Sequence, residues 1–417
     1  MTAALLRLNQ RTFASLRRHR NYRLFFVGQV ISVSGTWMQN ISLAWLVVTL
    51  TDSPIAIGAL AFCRFAPFTV FGLFSGVVAD RIDNRRLVMF TQLASMVVSA
   101  ALTVLVVTDS ATVPLVYALA LAGGTALVFD APGRHALTFQ LVGRDELPNA
   151  VALNASLFNA SRVVGPALAG VIIAWVGVGA CFLVNTASFL AVLTALLLMR
   201  VEDLFPVDRP DAPPSIFGGI RDGIVYALHE PRVRVVLLVV AIVSTVGFNF
   251  HVILPLLASD TLHTGPEVFG LLSAAFGGGA LLGALLAAGL GRASWKLFLL
   301  GLAVFSGSML LLAPVRDATL AAILLFVTGV AFTLWTSQGN AILQLNAPDQ
   351  LRGRVVSLYL FAFAGLAPLG GLLAGWLVDV GGTELSFAVA GVTGLAAVAL
   401  AARRTVLQRA NVASTPA

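Results

Sequence analysis

The chain reads as long apolar runs separated by short polar breaks. Twelve runs stand out, at 24–49, 55–79, 87–107, 113–134, 150–175, 179–199, 234–259, 267–289, 295–314, 319–340, 355–378 and 384–402. Each is close to the ~20 residues a helix needs to cross the hydrocarbon core of a bilayer. The pattern predicts an all-α polytopic membrane protein of twelve transmembrane helices. Only residues 200–233 form a long interruption. Arg200 to Ser215 is charged and holds Pro206, Pro210, Pro213 and Pro214, a composition that cannot bury enough apolar surface to fold alone. Ile216, Ile220, Ile224 and Ala227 then recur at helical spacing beside Arg221 and Asp222, which predicts an amphipathic helix on the inner membrane face. The expected organisation is a basic N-terminus at 1–23, a six-helix bundle at 24–199, a linker at 200–233, a second six-helix bundle at 234–402 and a tail at 403–417.

Charge placement sets the expected orientation. Residues 1–23 hold six arginines and no acid. The breaks after odd-numbered runs carry Asp52, Asp109, Asp260, Glu267, Asp317, Asp379 and Glu384 against a single arginine, Arg316. Basic residues stay on the cytoplasmic side, so both termini are expected inside. The first run is too long for a signal-peptide core and is expected to remain as the first helix. The whole chain is 58% hydrophobic and 11% charged, against roughly 25% charged in soluble domains. That excludes an ordinary soluble protein, and the net charge of +7 is topological, with no nucleic-acid partner expected. Cys63 and Cys181 form no CxxC pair, so neither a metal site nor a disulfide framework is indicated, and no cofactor is expected. The absence of a Gly-x-x-x-x-Gly-Lys loop, a His–Glu metal spacing or a nucleophile–base set argues against an enzyme and against ATP-driven pumping.

Gln140, Leu141, Asp145, Leu147 and Val151 recur as Gln344, Leu345, Asp349, Leu351 and Val355, each 204 positions later. Both copies join the fourth and fifth run of their unit, as a duplicated unit would. Parallel repeats of this kind hold substrate near the midplane between them. Helices in lipid associate through small residues. Gly72/Gly76, Gly165/Ala169, Gly279/Gly283 and Gly371/Gly375 form such pairs in runs 2, 5, 8 and 11. Pro166, followed by Gly170, removes a backbone donor and is expected to bend run 5.

An ionisable residue inside a run is a functional candidate because burying it is costly. Arg64 and Arg162 lie mid-run, Asp130 toward the inner end of run 4 and His251 in the outer part of run 7. Arginine keeps its charge and clamps anions well, so Arg64 and Arg162 point to a binding surface for an anionic or polyphenolic ligand. Asp130 and His251 are the candidates for carrying protons. Structural alternatives stand beside these: Asp130 paired with Arg162 or part of an inner gate, and His251 a satisfied structural histidine. Gln39, Asn40, Asn249, Trp335 and Gln338 add neutral hydrogen-bonding groups to the candidate cavity.

Gly76, Asp80, Arg81, Arg85 and Arg86 stand in the pattern Gly-x-x-x-Asp-Arg-x-x-x-Arg-Arg. This resembles the signature loop between helices 2 and 3 of the major facilitator superfamily, where a glycine stands in place of Asp83. Trp37-Met38-Gln39, Leu50-Thr51-Asp52-Ser53-Pro54, Pro132-Gly133-Arg134, Leu147-Pro148-Asn149-Ala150, Gly165-Pro166 and Arg352-Gly353-Arg354 resemble one bacterial branch of it. That branch is the drug:proton antiporter group that includes enterobactin exporters and macrolide efflux proteins. The resemblance implies that helices 1, 4, 7 and 10 line a central cavity and that helices 2, 5, 8 and 11 face across the two bundles. It also implies that Asp80 latches to the helix start near Val355 and Val356 and to Arg134, closing the cytoplasmic gate in the outward-facing state. The implied protein is a monomeric exporter of the bacterial plasma membrane, with a small-molecule substrate, protons and the lipid bilayer as its partners. Two exports fit, a siderophore or related secondary metabolite, and drugs or antibiotics. A cationic drug pump wants intramembrane acids, and only Asp130 is available. A non-transporting scaffold or sensor is a third reading, against which the lack of a soluble domain argues.

Overall fold

In a computed structural model, residues 13–206, 216–290, 293–348 and 350–413 are described, and they contain helices and no strand. Residues 1–12, Pro210, Pro213, Pro214, Asp349 and residues 414–417 lie outside the described residues, as do the side chains of Ile216 and Ile220. The helices are α1 (Ala14–Arg18), α2 (Arg20–Leu50), α3 (Pro54–Arg81), α4 (Asn84–Val107), α5 (Val113–Val176), α6 (Val178–Leu197), α7 (Ile216–His229), α8 (Pro231–Gly247), α9 (Phe250–Leu256), α10 (Pro266–Leu290), α11 (Trp295–Leu312), α12 (Ala318–Asn346), α13 (Arg352–Leu360) and α14 (Ala367–Ala413). Among the described residues, nine stretches are long and apolar enough to cross a membrane. Two of these are longer than one crossing, Val113–Val176 and Arg352–Arg403. They are broken inside, at Gly143 and at Gly381–Gly382.

The runs predicted at 113–134 and 150–175 therefore continue past their expected ends and meet at a corner. Gly143 takes φ +70°, a conformation cheap only for glycine. The ring of Phe205 lies 2.9 Å from where a Cβ would stand. Phe205 also donates its backbone N–H to Gln140 O at 2.8 Å, so the start of the linker folds back over the corner. The segment before α2 joins the same knot. Ser15 donates to Asn149 Oδ1 at 2.7 Å, Arg18 pairs with Glu146, and Asn21 donates to Arg200 O at 2.7 Å. Beneath it Phe25, Leu137, Leu141, Phe189 and Leu196 are buried together.

The amphipathic helix expected after the linker is α7, and it docks on the chain's second set of helices. Tyr226 donates to Asn346 O at 2.5 Å, and Arg354 pairs with Asp222 at 2.6 Å. Ala227 is buried, while Ile224, Val225 and Leu228 stay exposed as an apolar stripe. The run at 234–259 is not one helix: α8 ends at Gly247 and α9 begins at Phe250. Irregular backbone at membrane depth is tolerated where protein or a cavity surrounds it.

Among the described residues, the helices before and after the linker touch closely at one end and at mid-length. At the end that carries residues 51–53 and 262–265, a Cβ on Gly58 would stand 2.6 Å from Gly371 O, and one on Gly375 2.8 Å from Pro54 O. Likewise a Cβ on Gly170 would stand 2.9 Å from Pro266 O, and one on Gly270 2.7 Å from Pro166 O. Halfway along, Thr69 donates to Gly365 O at 2.7 Å. Toward the Asp80 end, a Cβ on Gly72 or Gly76 would meet nothing within 4 Å. The two sets thus splay apart toward the end that carries the Asp80–Arg86 loop.

Candidate functional site

The cleft between the two helix sets is lined at mid-depth by arginines and aromatic rings. Arg162, on α5, is half-buried and makes no ion pair among the described residues. Its guanidinium lies 4.8 Å from the centre of the Phe276 ring and 5.7 Å from those of Trp37 and Phe332. Trp37 comes from α2, Phe276 from α10 and Phe332 from α12, so the cage joins both helix sets. A cation over an aromatic face gains ~0.5–2 kcal/mol, more as it is desolvated, which helps the charge stand without a carboxylate. The cage continues into an apolar face, where Phe248 stacks on Phe332 at 4.4 Å and packs on Phe363 at 5.2 Å.

Asp130 does not reach Arg162. It is 2% exposed and fully engaged on its own side of the cleft. Thr91 Oγ1 and Gln92 Nε2 donate to its Oδ1 at 2.7 and 2.9 Å, and Arg134 pairs with Oδ2. Arg134 also donates to Gln29. The i,i+4 spacing on α5 brings Asp130 and Arg134 together, and three donors converge on the carboxylate. Beside this network lies a cavity of about 80 Å³, bordered by Gln39, Asn40, Arg64, Gln92, Asp130 and Arg134 and by apolar residues such as Val98, Leu102 and Phe189. Asn185 donates to Gln39 Oε1 at 2.6 Å across its wall.

Arg64, half-buried on α3, opens onto this cavity, and its nearest aromatic partner is the adjacent Phe65, at 5.5 Å. His251, on α9, packs edge-on to Phe65 at 5.1 Å and lies within electrostatic reach of Arg64. Its Nε2 is shielded from solvent without a hydrogen-bond partner. Asn249 sits in the break between α8 and α9 and donates back to Thr245 O at 2.8 Å. Its Oδ1 faces Gly370 of α14, so it secures the break rather than lining open space. Trp335 and Gln338 lie inside the second helix set. Trp335 is fully buried against Phe298, Phe305 and Phe332, and Gln338 accepts from Ser294 N at 2.7 Å.

The loop residues take separate tasks. Asp83 caps α4 by accepting from Arg86 N at 2.8 Å, which gives this position a use for a carboxylate. Arg85 donates to Leu196 O at 2.8 Å and secures the end of α6. Arg81 closes the last turn of α3, and Asp80 is exposed with no ion pair among the described residues. The glycines also divide. Gly170, Gly371 and Gly375 meet the opposite helix set, whereas Gly165 packs on Ser34 and Trp37 of α2. Gly279 and Gly283 pack on the Phe326–Val330 stretch of α12, within their own set, and Gly270 and Gly277 make the crossing contact instead. Sequence reasoning passed over Gly58, Gln92, Phe276 and Phe332. Gln92, a polar residue deep in an apolar run, carried a signal; a phenylalanine in a membrane helix carries none.

A model of the family described as transmembrane secretion effector matches residues 10–417. The staphyloferrin A transporter of Staphylococcus aureus is 26% identical over 375 residues, covering 89% of this chain and 93% of that protein. The multidrug efflux pump Tap of Mycolicibacterium fortuitum is 27% identical over 366 residues, covering 85% and 88%. Macrolide efflux protein A of Streptococcus pyogenes is 20% identical over 385 residues, covering 90% and 95%. Among solved structures, the nucleoside transporter NupG superposes with a TM-score of 0.74 at 12% identity, over 92% of this chain and 98% of that one. At that identity the likeness shows the fold alone.

Proposed function

The chain belongs to the transmembrane secretion effector family of the major facilitator superfamily, whose members are multi-pass membrane transporters of small molecules, and from that premise we propose that it exports a small amphipathic acid. The class we favour is a siderophore or related secondary metabolite, moved across the bacterial plasma membrane by alternating access. In this reading the chain crosses the membrane twelve times as two six-helix halves, with both termini cytoplasmic, and works as a monomer. Proton antiport drives it. Asp130 is engaged by Thr91, Gln92 and Arg134, and His251 is the other candidate to carry the coupling proton.

The observation that carries the reading is Arg162. A permanent cation stands at the seam between the halves, balanced by rings of both and by no acid. An acidic amphipathic molecule offers it a better partner, and would draw the guanidinium out of a contact that ties the halves together. The test compares small molecules in cells and medium, with and without the gene, under iron limitation. An acidic metabolite retained by cells lacking the gene is expected. Arg162→Gln should retain it too, with export at least ~10-fold slower, because a hydrogen bond to a charged group is worth ~1.5–3 kcal/mol. No retained metabolite would remove the siderophore reading. Multidrug efflux is the second reading, and the face formed by Phe248, Phe276, Phe332 and Phe363 favours it. Antibiotic sensitivity of the same strains decides for or against it.

The splayed end corresponds to an open cytoplasmic gate in this scheme, with the Asp80 latch undone. Arg134 is occupied by Asp130 and Gln29, so closing requires Asp80 to find the helix start near Val355. A carboxylate there gains ~1 kcal/mol, equivalent to about fivefold in a population. Asp80→Asn is therefore expected to slow transport about fivefold while changing stability by no more than ~0.5 kcal/mol, as for other exposed sites. Transport at the wild-type rate would remove the latch.

A further inference from the structure

The intramembrane charges do not balance around the small cavity. Three charged side chains border it: Arg64, Asp130 and Arg134. Asp130 and Arg134 neutralise each other. Arg162 lies elsewhere and has its aromatic cage. Arg64 has no carboxylate, and among the described residues no hydrogen bond fixes its guanidinium. A cation at membrane depth calls for a counter-charge. His251 does not border the cavity, but it packs on Phe65, the neighbour of Arg64, and brings a second unmet group, a shielded Nε2 without a partner, from the opposite half. The cavity, at about 80 Å³, well exceeds the ~10–15 Å³ that admits one water. It is large enough for one carboxylate or one chloride.

We infer that Arg64 anchors an anion site between the cavity and His251, in which a carboxylate accepts hydrogen bonds from the guanidinium and from His251 Nε2–H. The body of the ligand then extends into the cleft toward the aromatic face. This deepens the export reading and rests on it for the identity of the occupant: a carboxylate-bearing substrate or a free halide fulfils the same chemistry. Because Arg64 lies on α3 and His251 on α9, the bound anion bridges the two halves.

The test uses the purified full-length protein in lipid nanodiscs, with benzoate and its neutral isostere benzamide as probes. Wild type is expected to bind benzoate at least tenfold more tightly than benzamide. Arg64→Gln should bind the two alike, and His251→Leu should lose part of the preference that His251→Gln, which keeps an N–H, retains. The ratio of the two probes is insensitive to a general loss of active protein. Chloride that competes with benzoate assigns the site to a small free anion, and chloride that leaves benzoate binding unchanged assigns it to the carboxylate of an organic ligand. An unchanged benzoate preference in Arg64→Gln, or no preference in wild type, overturns the site. Binding is measured without a gradient, so discrimination that persists while cells show no export would sink the export reading and leave the anion site standing.

Discussion

Gly58→Leu is expected to abolish transport and to trap the protein with its closed end forced open. A Cβ at this position would stand 2.6 Å from Gly371 O and 3.3 Å from the Gly375 Cα. Those are backbone atoms of α14, and they cannot swing aside as a side-chain tip does. Overpacking a tight contact costs ~1–3 kcal/mol, occasionally more, and a leucine exceeds the one-carbon case. In the proposed alternating-access cycle the cost falls only on the state in which this end is closed, since the other state would separate α3 from α14. A penalty of ~3 kcal/mol on one of two states shifts their ratio by about 150-fold. Spin labels at Asp52 and Val380, both exposed, should report a longer distance in the variant than in wild type. Gly58→Ala should fall between them. A leucine variant with the wild-type distance and rate would mean that this contact does not form part of the cycle.

Much of this architecture was legible in the sequence because hydrophobic run length is a strong signal. The runs at 87–107 and 267–289 agree with α4 and α10 to within a few residues. What run length could not show was a break inside a run. The stretch 234–259 reads as one run despite Ser244, Thr245, Asn249 and His251, yet the helix stops at Gly247 and restarts at Phe250. The small-residue pairs were legible as pairs but not as contacts. A glycine has no side chain to say where its face is aimed, and successive residues around a helix of 3.6 residues per turn point ~100° apart. So Gly277 meets the Arg162 backbone while Gly279, two residues on, packs on α12. The partners of Arg162 were illegible for a related reason. Phe276 and Phe332 lie more than a hundred residues away, and any of the 27 phenylalanines could have filled the role.

The same distinction decides what Asp130 does. Read from its run alone, an intramembrane aspartate is a proton carrier, and Asp130→Asn would leave a stable, uncoupled protein. Read from its surroundings, Asp130 is the acceptor of a donor set. Thr91 and Gln92 converge on one oxygen and Arg134 on the other, and the side chain of Asp130 is 3% exposed against 23% for Arg134. An asparagine supplies one acceptor oxygen and turns an N–H₂ toward Arg134, leaving that charge shielded and unpaired. Breaking a buried pair from one side costs ~3–5 kcal/mol. Asp130→Asn is therefore expected to lose ~3 kcal/mol of stability, seen as a lower unfolding midpoint in detergent, before any question of coupling arises. Adding Arg134→Gln removes the stranded cation, so the double variant should recover most of the loss, and the cycle of single and double variants should give a coupling well above the ~0.5 kcal/mol of independent sites. Asp130→Asn with a wild-type midpoint but no response to a pH gradient would reverse the assignment and return the coupling proton to this carboxylate.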